Sequence, residues 1–421
     1  MFRRVKKFWK QLGPGFITGA ADDDPSGIAT YSQTGAMFGL GQLWIVPFSY
    51  PFMVAVQEMC GRIGMVTGKG LAGVIRKHYS KRVLGVAVLL LLITNTINIG
   101  ADLGAMAAAI QLLVPIPFVS LLFGVTAFSL LMEIFVPYPS YAKFLKYLAL
   151  ALLAYVVTAI AVTDNWGTVF DAMVTPHVEL SKNYLLNIAA FLGTTISPYL
   201  FFWQADQEVE DELVHGKIRW MGKGIPKVGN RDIKRMRTDT ATGMFFSNMI
   251  TFFIILTVAG TLGAAGITKV DTAADAASAL KPIAGNFAFL LFALGILGTG
   301  LLAIPVLAGS AGYAVAEAFG WKEGLGKRFG QAPAFYIVIA LSTLVGLLVN
   351  FSGIGSMTML YYAAMLNGIL AAPLLVVILL IGNNKKILGE RTNGFFSNTL
   401  GIIITAIMGL VGIATIISLF V

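Results

Sequence analysis

The chain has 421 residues, of which 57% are hydrophobic and only 12% are charged, and its formal net charge is +9. A soluble domain carries about 25% charged residues, so this composition excludes an ordinary soluble fold. Apolar runs of membrane-spanning length recur along the sequence. They predict an all-α polytopic membrane protein, with residues 1–421 forming a single transmembrane domain.

Eleven membrane spans are predicted from the apolar runs. Taken in chain order, they lie at about 14–38, 43–66, 83–113, 118–137, 142–163, 184–205, 241–263, 284–316, 332–351, 357–381 and 396–420. The longest connection covers residues 206–240 and holds charges of both signs, so it is either a gate or partner-binding segment or a solvated connector. A short amphipathic helix is expected within it, around Asp232–Arg237.

The basic residues predict the orientation of these spans. With eleven alternating spans, one side of the membrane carries the great majority of the 30 Lys and Arg residues, and the other side keeps Lys182, Lys269 and Lys281. This bias places the N-terminus in the cytoplasm and the C-terminus outside a cell (inner or plasma) membrane. Because the basic residues are dispersed over short loops, the net charge favours contact with the lipid bilayer over binding of nucleic acid.

Two of the predicted spans contain a mid-span Pro that follows an oxygen-bearing side chain and is flanked by small residues. Span 1 includes Asp24-Pro25-Ser26-Gly27, and span 6 includes Thr194-Thr195-Ile196-Ser197-Pro198-Tyr199. A Pro removes a backbone donor and disrupts the preceding turn, and such backbone is tolerated at this depth where it lines a cavity or is buried in protein. Broken helices at matching positions of two five-span halves predict a LeuT-like inverted repeat with its site at the midplane. The repeats cover about 14–163 and 184–381, and 396–420 forms an extra helix.

Acidic residues inside the spans are candidates for an ion site, because a charge at mid-bilayer costs about 2.5–3.5 kcal/mol on insertion scales. Asp22, Asp23 and Asp24 occur consecutively at the first break, and Asp102 lies in span 3. Carboxylates together with carbonyls released by a broken helix suit a hard divalent cation. The alternative for Asp24 is that it only caps the helix that begins at Pro25. Asp22 and Asp102 are assigned to the ion pathway.

Motifs for catalysis are absent from the sequence. It contains no P-loop and no His-Glu-x-x-His spacing, and the single cysteine, Cys60, cannot form an intramolecular disulfide. The predictions are therefore that the protein is not an enzyme, that it needs no cofactor and that it has no obligate protein partner. Transport by such a chain is secondary or facilitated.

Several motifs resemble those of the NRAMP divalent-metal transporters. They are Gly13-Pro14-Gly15-Phe16, Asp24-Pro25, Gln57-Glu58-Met59 with the run from Arg62 to Ala72, Ala101-Asp102-Leu103, and Ile196-Ser197-Pro198. The resemblance implies a broken-helix inverted repeat of ten spans plus extra C-terminal helices, which imports divalent metals, usually with protons.

The chain departs from the family's metal-binding motifs at several positions. Asp24 matches the family's Asp, but Gly27 replaces the Asn that binds metal. In span 6, Ser197 stands at the position of the family's Met and Tyr199 at that of its His, while Gln204 replaces a second His. In span 3 the family's Asp is retained, as Asp102, and its Glu is replaced by Ala105.

These replacements shift the expected substrate from soft to hard cations. Loss of a thioether removes a preference for softer transition metals, and loss of imidazole removes the groups suited to proton relay near neutral pH. The pattern is similar to the NRAMP-related magnesium transporter branch. It implies import of Mg²⁺ and Mn²⁺ without proton coupling; the alternatives are a proton-coupled Mn²⁺/Fe²⁺ symporter, a Na⁺-coupled organic-solute symporter and a non-transporting sensor.

The expected metal site follows from the resemblance and from the two breaks. The ion would be held by the Asp24 carboxylate, the Ser197 hydroxyl and the carbonyl groups near Ala21 and Thr194. A second set of residues is expected to bond the ion or its remaining waters, namely Asp23, Gly27, Tyr199, Gln204 and Asn367.

Overall fold

The structure is a computed structural model and describes residues 13–136, 150–179 and 181–420. In this part of the chain the regular secondary structure is helical, apart from one isolated β-bridge between Trp220 and Lys223. The first nine α-helices are α1 Pro14–Asp22, α2 Pro25–Phe38, α3 Ile45–Thr67, α4 Leu71–His78, α5 Lys81–Gln111, α6 Phe118–Phe135, α7 Leu153–Val162, α8 Trp166–Val174 and α9 Lys182–Thr195. The remaining nine are α10 Pro198–Val214, α11 Asn230–Val258, α12 Ala273–Ser278, α13 Lys281–Ala284, α14 Ala288–Phe319, α15 Pro333–Val349, α16 Ser356–Gly382, α17 Lys385–Leu388 and α18 Phe395–Phe420.

The predicted spans coincide with helices wherever the structure describes them. Within the described residues, eight helices are long and apolar enough to cross a membrane, or nine if the bent pair Leu150–Val162 and Trp166–Val174 is one span. Predicted spans 1 and 2 are not among the eight, although α1 and α2 occupy the first and α3 the second. Residue 137 of span 4 and residues 142–149 of span 5 lie outside the described residues. The total of eleven crossings remains a prediction.

Both predicted helix breaks are present. Helix α1 ends at Asp22, and α2 begins at Pro25 with Asp24 in an extended conformation as its N-cap. Helix α9 ends at Thr195, and α10 begins at Pro198 after an extended Ser197. Proline fits the first position of a helix because the amide hydrogen it lacks has no partner there anyway. Each Pro therefore starts the second half of a span and leaves backbone groups between the halves without helical partners.

Several basic side chains donate to carbonyl groups at one end of the bundle. We call this end the basic face and define it by Arg62, Lys69 and Arg76. The Lys69 ammonium donates to the Gly222 carbonyl, and the Arg76 guanidinium donates to the carbonyl of Glu317. At the same end, Arg62 pairs with Glu58 at 3.0 Å, as expected for an i, i+4 pair. Arg62 also donates to the carbonyl of Arg391, so this face includes the connection before α18.

The long connection predicted at 206–240 is shorter in the structure, because residues 206–214 continue α10 and α11 begins at Asn230. Asp232–Arg237 does not form a separate amphipathic helix, because these residues are the first turns of α11, which runs continuously to Val258. Asp232 caps that helix by accepting from the amide of Gly229 at 2.9 Å, and this N-terminal carboxylate favours extension of the helix.

Helix α1 is docked against α11 through direct backbone contact. A Cβ atom at Gly19 would lie 2.3 Å from the carbonyl carbon and oxygen of Gly243, so the two backbones touch there. At the start of α1, the carboxylate of Asp239 accepts from the amides of Gly13 and Gly15, both at 2.8 Å. Small residues and a capped N-terminus thus fix α1 on α11, and this places Asp22 to Asp24 beside the second broken helix.

Candidate functional site

The site is built around Asp24, which is only 1% exposed. Its Oδ1 accepts from the amide of Gly27 at 2.9 Å and from the Ser26 hydroxyl at 2.6 Å. This is the capping arrangement that N-terminal Asp residues provide. The capping role of Asp24 therefore occupies one carboxylate oxygen, while Oδ2 is directed to the second break.

Two contacts join the break in span 1 to the break in span 6. The Tyr199 hydroxyl lies 3.2 Å from Asp24 Oδ2 and 3.1 Å from the carbonyl oxygen of Ala21. The Ser26 hydroxyl lies 3.3 Å from the Thr194 hydroxyl. Residues more than 160 positions apart therefore meet in one buried group of oxygen atoms. The structure brings together Asp24, Ala21, Thr194 and Tyr199 from the expected site.

Ser197 lies within the second break and is 1% exposed. Its hydroxyl is 2.8 Å from the carbonyl oxygens of Gly193 and Thr194, to which it donates. Its single proton is therefore used within the break, whereas its oxygen lone pairs stay available as acceptors. The Ser197 side chain satisfies carbonyl groups that the end of α9 leaves without helical partners.

Asp102 is completely buried, and neither of its carboxylate oxygens has a hydrogen-bond partner. It interacts electrostatically with both Asp24 and Tyr199. Met106, one turn further along α5, is close to the ring of Pro25: a Cβ atom at Gly300 would touch the Met106 sulfur at 2.6 Å and Pro25 Cγ at 3.4 Å. Helix α5 therefore flanks the first break with an unpaired carboxyl group and a thioether.

The other two acidic residues of span 1 face α11 instead. The Ser247 hydroxyl lies 2.5 Å from Asp22 Oδ2 and 3.2 Å from Asp23 Oδ1. The single proton of the Ser247 hydroxyl is shared between the two carboxyl groups. Asp22 Oδ1 has no hydrogen-bond partner. Asp22 and Asp23 thus form a second polar group next to Asp24, oriented toward α11.

Two predicted residues make their hydrogen bonds away from Asp24. The Gln204 amide donates to Glu208 at 2.9 Å, and a Cβ atom at Gly61 would lie 3.2 Å from its nitrogen. The oxygen of Asn367 accepts from Asn98 on α5 at 2.9 Å, and the Asn367 nitrogen has no partner. In this conformation Gln204 contacts α3 and Asn367 contacts α5, and neither bonds the oxygens around Asp24.

Gly27 packs closely against both sides of the site. A Cβ atom there would lie 3.1 Å from the Tyr31 ring and 3.4 Å from the Thr194 hydroxyl. An Asn at this position would therefore require the Tyr31 ring to move. Its backbone amide still takes part in the site, since it donates to Asp24.

The chemistry of the group is that of oxygen donors. Among the described residues, no cluster of three or more His, Cys, Asp and Glu side chains has the arrangement of a metal site. Around Asp24 the donors are a carboxylate, hydroxyls and carbonyls, which hard cations prefer and which leave room for retained water.

The sequence analysis did not identify Ser26 and Ser247 as members of these groups. Ser26 could have been identified, because a hydroxyl directly after a proline that begins a helix lies close to the capping residue.

Comparison with known proteins adds an independent result. The family model of natural resistance-associated macrophage protein-like proteins (Nramp) matches residues 15–418. The fold is similar to two crystal structures of the Eremococcus coleocola manganese transporter. One, in complex with an aromatic bis-isothiourea compound, has TM-score 0.72 and 14% identity over 97% of this chain and 86% of that one. The other, a point mutant, has TM-score 0.73 and 15% identity over 96% and 86%.

A more distant fold neighbour is Mhp1, a nucleobase-cation-symport-1 family transporter, in a closed conformation with bromovinylhydantoin bound. Its TM-score is 0.62 at 14% identity, over 97% of this chain and 90% of that one. At such identities the likeness concerns the fold, and it agrees with the predicted broken-helix architecture. The match of the family model over nearly the whole chain carries the assignment: this protein belongs to the Nramp family, whose members are membrane transporters and not enzymes.

Proposed function

We propose that this protein imports divalent cations, Mg²⁺ and Mn²⁺ in particular, and that it does so without proton coupling. Family membership and the manganese transport named for the Eremococcus coleocola protein support divalent-metal transport. The observation that carries the choice of ion is the donor set: the side chains that contact the Asp24 carboxylate are hydroxyls of Ser26 and Tyr199. The chain would thus be similar to the NRAMP-related magnesium transporter branch.

In this proposal the ion binds between the two breaks. Asp24 Oδ2 is the free anionic ligand because Oδ1 is used by the helix cap. When a cation takes Oδ2, the Tyr199 hydroxyl keeps a partner, since the Ala21 carbonyl is already within 3.1 Å. The Ala21 and Thr194 carbonyls and the Ser197 oxygen supply neutral ligands, and water completes the shell. Such a shell suits Mg²⁺, which gives up its water reluctantly.

Asp22 and Asp102 are assigned to the approach of the ion, and Asp23, beside Asp22, to bonding the ion or its waters. All three are buried carboxyl groups next to the first break, and carboxyl oxygens are ligands that hard cations prefer. The basic face would be cytoplasmic by the positive-inside bias. Release to that side would require spans 1, 2, 6 and 7 to rock against the remaining helices.

A proton-coupled Mn²⁺/Fe²⁺ symporter is the main alternative, because coupling is usual for the family that the chain resembles. Such coupling needs a group that changes its protonation as the metal moves. Asp102, with its two unpartnered oxygens, is the residue that would serve. A Na⁺-coupled organic-solute symporter has the fold of Mhp1 in its favour, but four buried carboxyl groups at one break disfavour an anionic solute.

Flux into proteoliposomes tests the assigned site. Asp24→Asn removes the charge but retains a side-chain oxygen, so Mg²⁺ and Mn²⁺ entry should fall to the background of empty liposomes. Asp171→Asn is the matched control, because Asp171 is exposed on α8, where its side chain accepts a hydrogen bond from the Thr175 hydroxyl. Full Mg²⁺ and Mn²⁺ flux in Asp24→Asn would overturn the assignment.

A further inference from the structure

A cavity of about 790 Å³ opens at the basic face, away from the two helix breaks. Its walls come from three separate segments: Lys69 with α4, the connection after α10, and the end of α14 with the residues that follow it. The volume is within the range of about 300–1,000 Å³ that is usual for small-molecule sites. The proposed transport function makes no use of this cavity.

Positive charge dominates the lining. Six basic side chains contribute to it: Lys69, Arg76, Lys77, Lys223, Lys322 and Lys327. Arg76, Lys77, Lys223 and Lys322 are exposed, so their charged groups are accessible to a ligand. Clustered cations in a concave, partly desolvated surface attract anions strongly, and phosphate is the anion for which Lys and Arg are the usual ligands.

The two acidic groups of the lining do little to offset this charge. The Glu317 carboxylate accepts from the amides of Gly70 and Gly73 at 2.6 and 2.7 Å. Both of its oxygens are therefore used to cap the start of α4. Burial, with a further contribution from the charge of Glu317, raises the pKa of Glu323 to about 9. Glu323 is therefore protonated at neutral pH, and the cavity keeps its excess of positive charge.

Two tryptophans lie beside these cations. Trp220 and Trp321 both line the cavity, and they are 57% and 43% exposed. Trp321 is held in place by stacking on Phe319, with ring centroids 4.8 Å apart. An exposed indole held at the mouth of a basic cavity offers a flat apolar surface, on which a nucleobase stacks favourably.

We propose that this cavity binds a phosphate-bearing anion with an aromatic group, of the nucleoside polyphosphate class. The phosphates would contact Lys223, Lys322 and Arg76, and the base would stack on Trp321, which Phe319 holds in place. The headgroup of an anionic phospholipid shares the phosphate chemistry but has no aromatic group. The cavity volume and the two indole rings favour the nucleotide.

Calorimetric titration of the full-length protein tests this inference. Metal-free ATP and inorganic pyrophosphate, each with EDTA present, are titrated into protein held in phosphatidylcholine nanodiscs. Saturable ATP binding should weaken about tenfold or more in Lys223→Gln/Lys322→Gln, since two charge-assisted contacts are lost. The matched control is Lys385→Gln/Lys386→Gln, which makes the same charge change at two exposed lysines of α17 and should bind ATP like the wild type.

Two further comparisons identify the ligand class. Trp321→Leu should weaken ATP binding but leave pyrophosphate binding unchanged, because only the base uses the indole. In nanodiscs that contain phosphatidylglycerol, ATP affinity should change little; complete loss of ATP binding there would assign the cavity to a lipid headgroup. Absence of ATP binding in phosphatidylcholine, or equal weakening in both double variants, would also overturn the proposal. A thermal melt of each variant in metal-free buffer verifies that it is folded.

Discussion

The Tyr199 hydroxyl lies between two oxygen atoms of the first helix break, 3.2 Å from Asp24 Oδ2 and 3.1 Å from the Ala21 carbonyl. A phenol has one proton to donate, so the Tyr199 hydroxyl can form a well-aligned hydrogen bond to only one of these two oxygens at a time. The family that the chain resembles has an imidazole at this position. The replacement keeps a donor beside Asp24 but removes a group that titrates near neutral pH.

The first prediction follows from this replacement. Tyr199→His introduces an imidazole with an unperturbed pKa of about 6.5 beside the proposed metal ligand. Mn²⁺ flux by the variant should therefore depend on pH between about 5.5 and about 7.5, because a protonated imidazole repels the cation. Tyr199→Phe is the control and should not acquire this dependence. Initial uptake rates across that pH range provide the measurement, and parallel profiles for the two variants would contradict the interpretation.

A second prediction concerns the choice of ion. Ser197→Met places a thioether in the second break, and soft sulfur ligands favour transition metals over Mg²⁺. The ratio of Mn²⁺ to Mg²⁺ flux should rise by about tenfold, equivalent to about 1.4 kcal/mol. The leucine of Ser197→Leu has a volume similar to that of methionine but no sulfur, so this variant should not raise the ratio of Mn²⁺ to Mg²⁺ flux. Competition between the two ions in one liposome preparation gives the ratio directly; an equal increase in both variants would assign the effect to size alone.

The third prediction tests the docking of α1. Gly→Ala in a helix normally stabilises by about 1 kcal/mol, but a Cβ atom at Gly19 would lie 2.3 Å from Gly243. Gly19→Ala should therefore destabilise the protein by about 1–3 kcal/mol through overpacking. Gly85→Ala is the matched control, since no atom lies within 4 Å of a Cβ at that position of α5. Thermal unfolding in detergent measures both, and an unchanged melting temperature for Gly19→Ala would contradict the backbone contact.

The fourth prediction is a pH dependence of stability. Burial raises the pKa of Glu323 to about 9, from an ordinary value of 4.5. Between these values the folded state holds the proton and the unfolded state has lost it, so this group's contribution to stability decreases as pH rises. Glu323→Gln removes the decrease, and its melting temperature should fall less than that of the wild type between pH 6 and pH 9. Glu390→Gln, at an exposed acid, should follow the wild type; identical slopes for all three proteins would contradict the buried state of Glu323.

The sequence predicted the breaks at Asp24-Pro25 and Ser197-Pro198 because Pro and unpaired backbone have strict local requirements. The Glu58–Arg62 pair is of the same local kind, since i, i+4 contacts depend on helix geometry alone. The contact between Ser26 and Thr194 was not predicted, because a relation across 168 positions depends on how the half-helices pack. The continuity of α11 was also missed. Its charged first turns were expected to form a short separate helix, and their composition does not indicate that the helix continues into span 7.

The central claim is that divalent metal enters without protons. The most direct measurement records Mg²⁺ or Mn²⁺ uptake and internal pH together in proteoliposomes of the wild-type protein, with Asp24→Asn as the inactive reference. We predict metal entry that is abolished in Asp24→Asn, with no acidification of the liposome interior beyond that reference. Acidification that tracks metal entry in the wild type would contradict the claim and would establish proton-coupled symport.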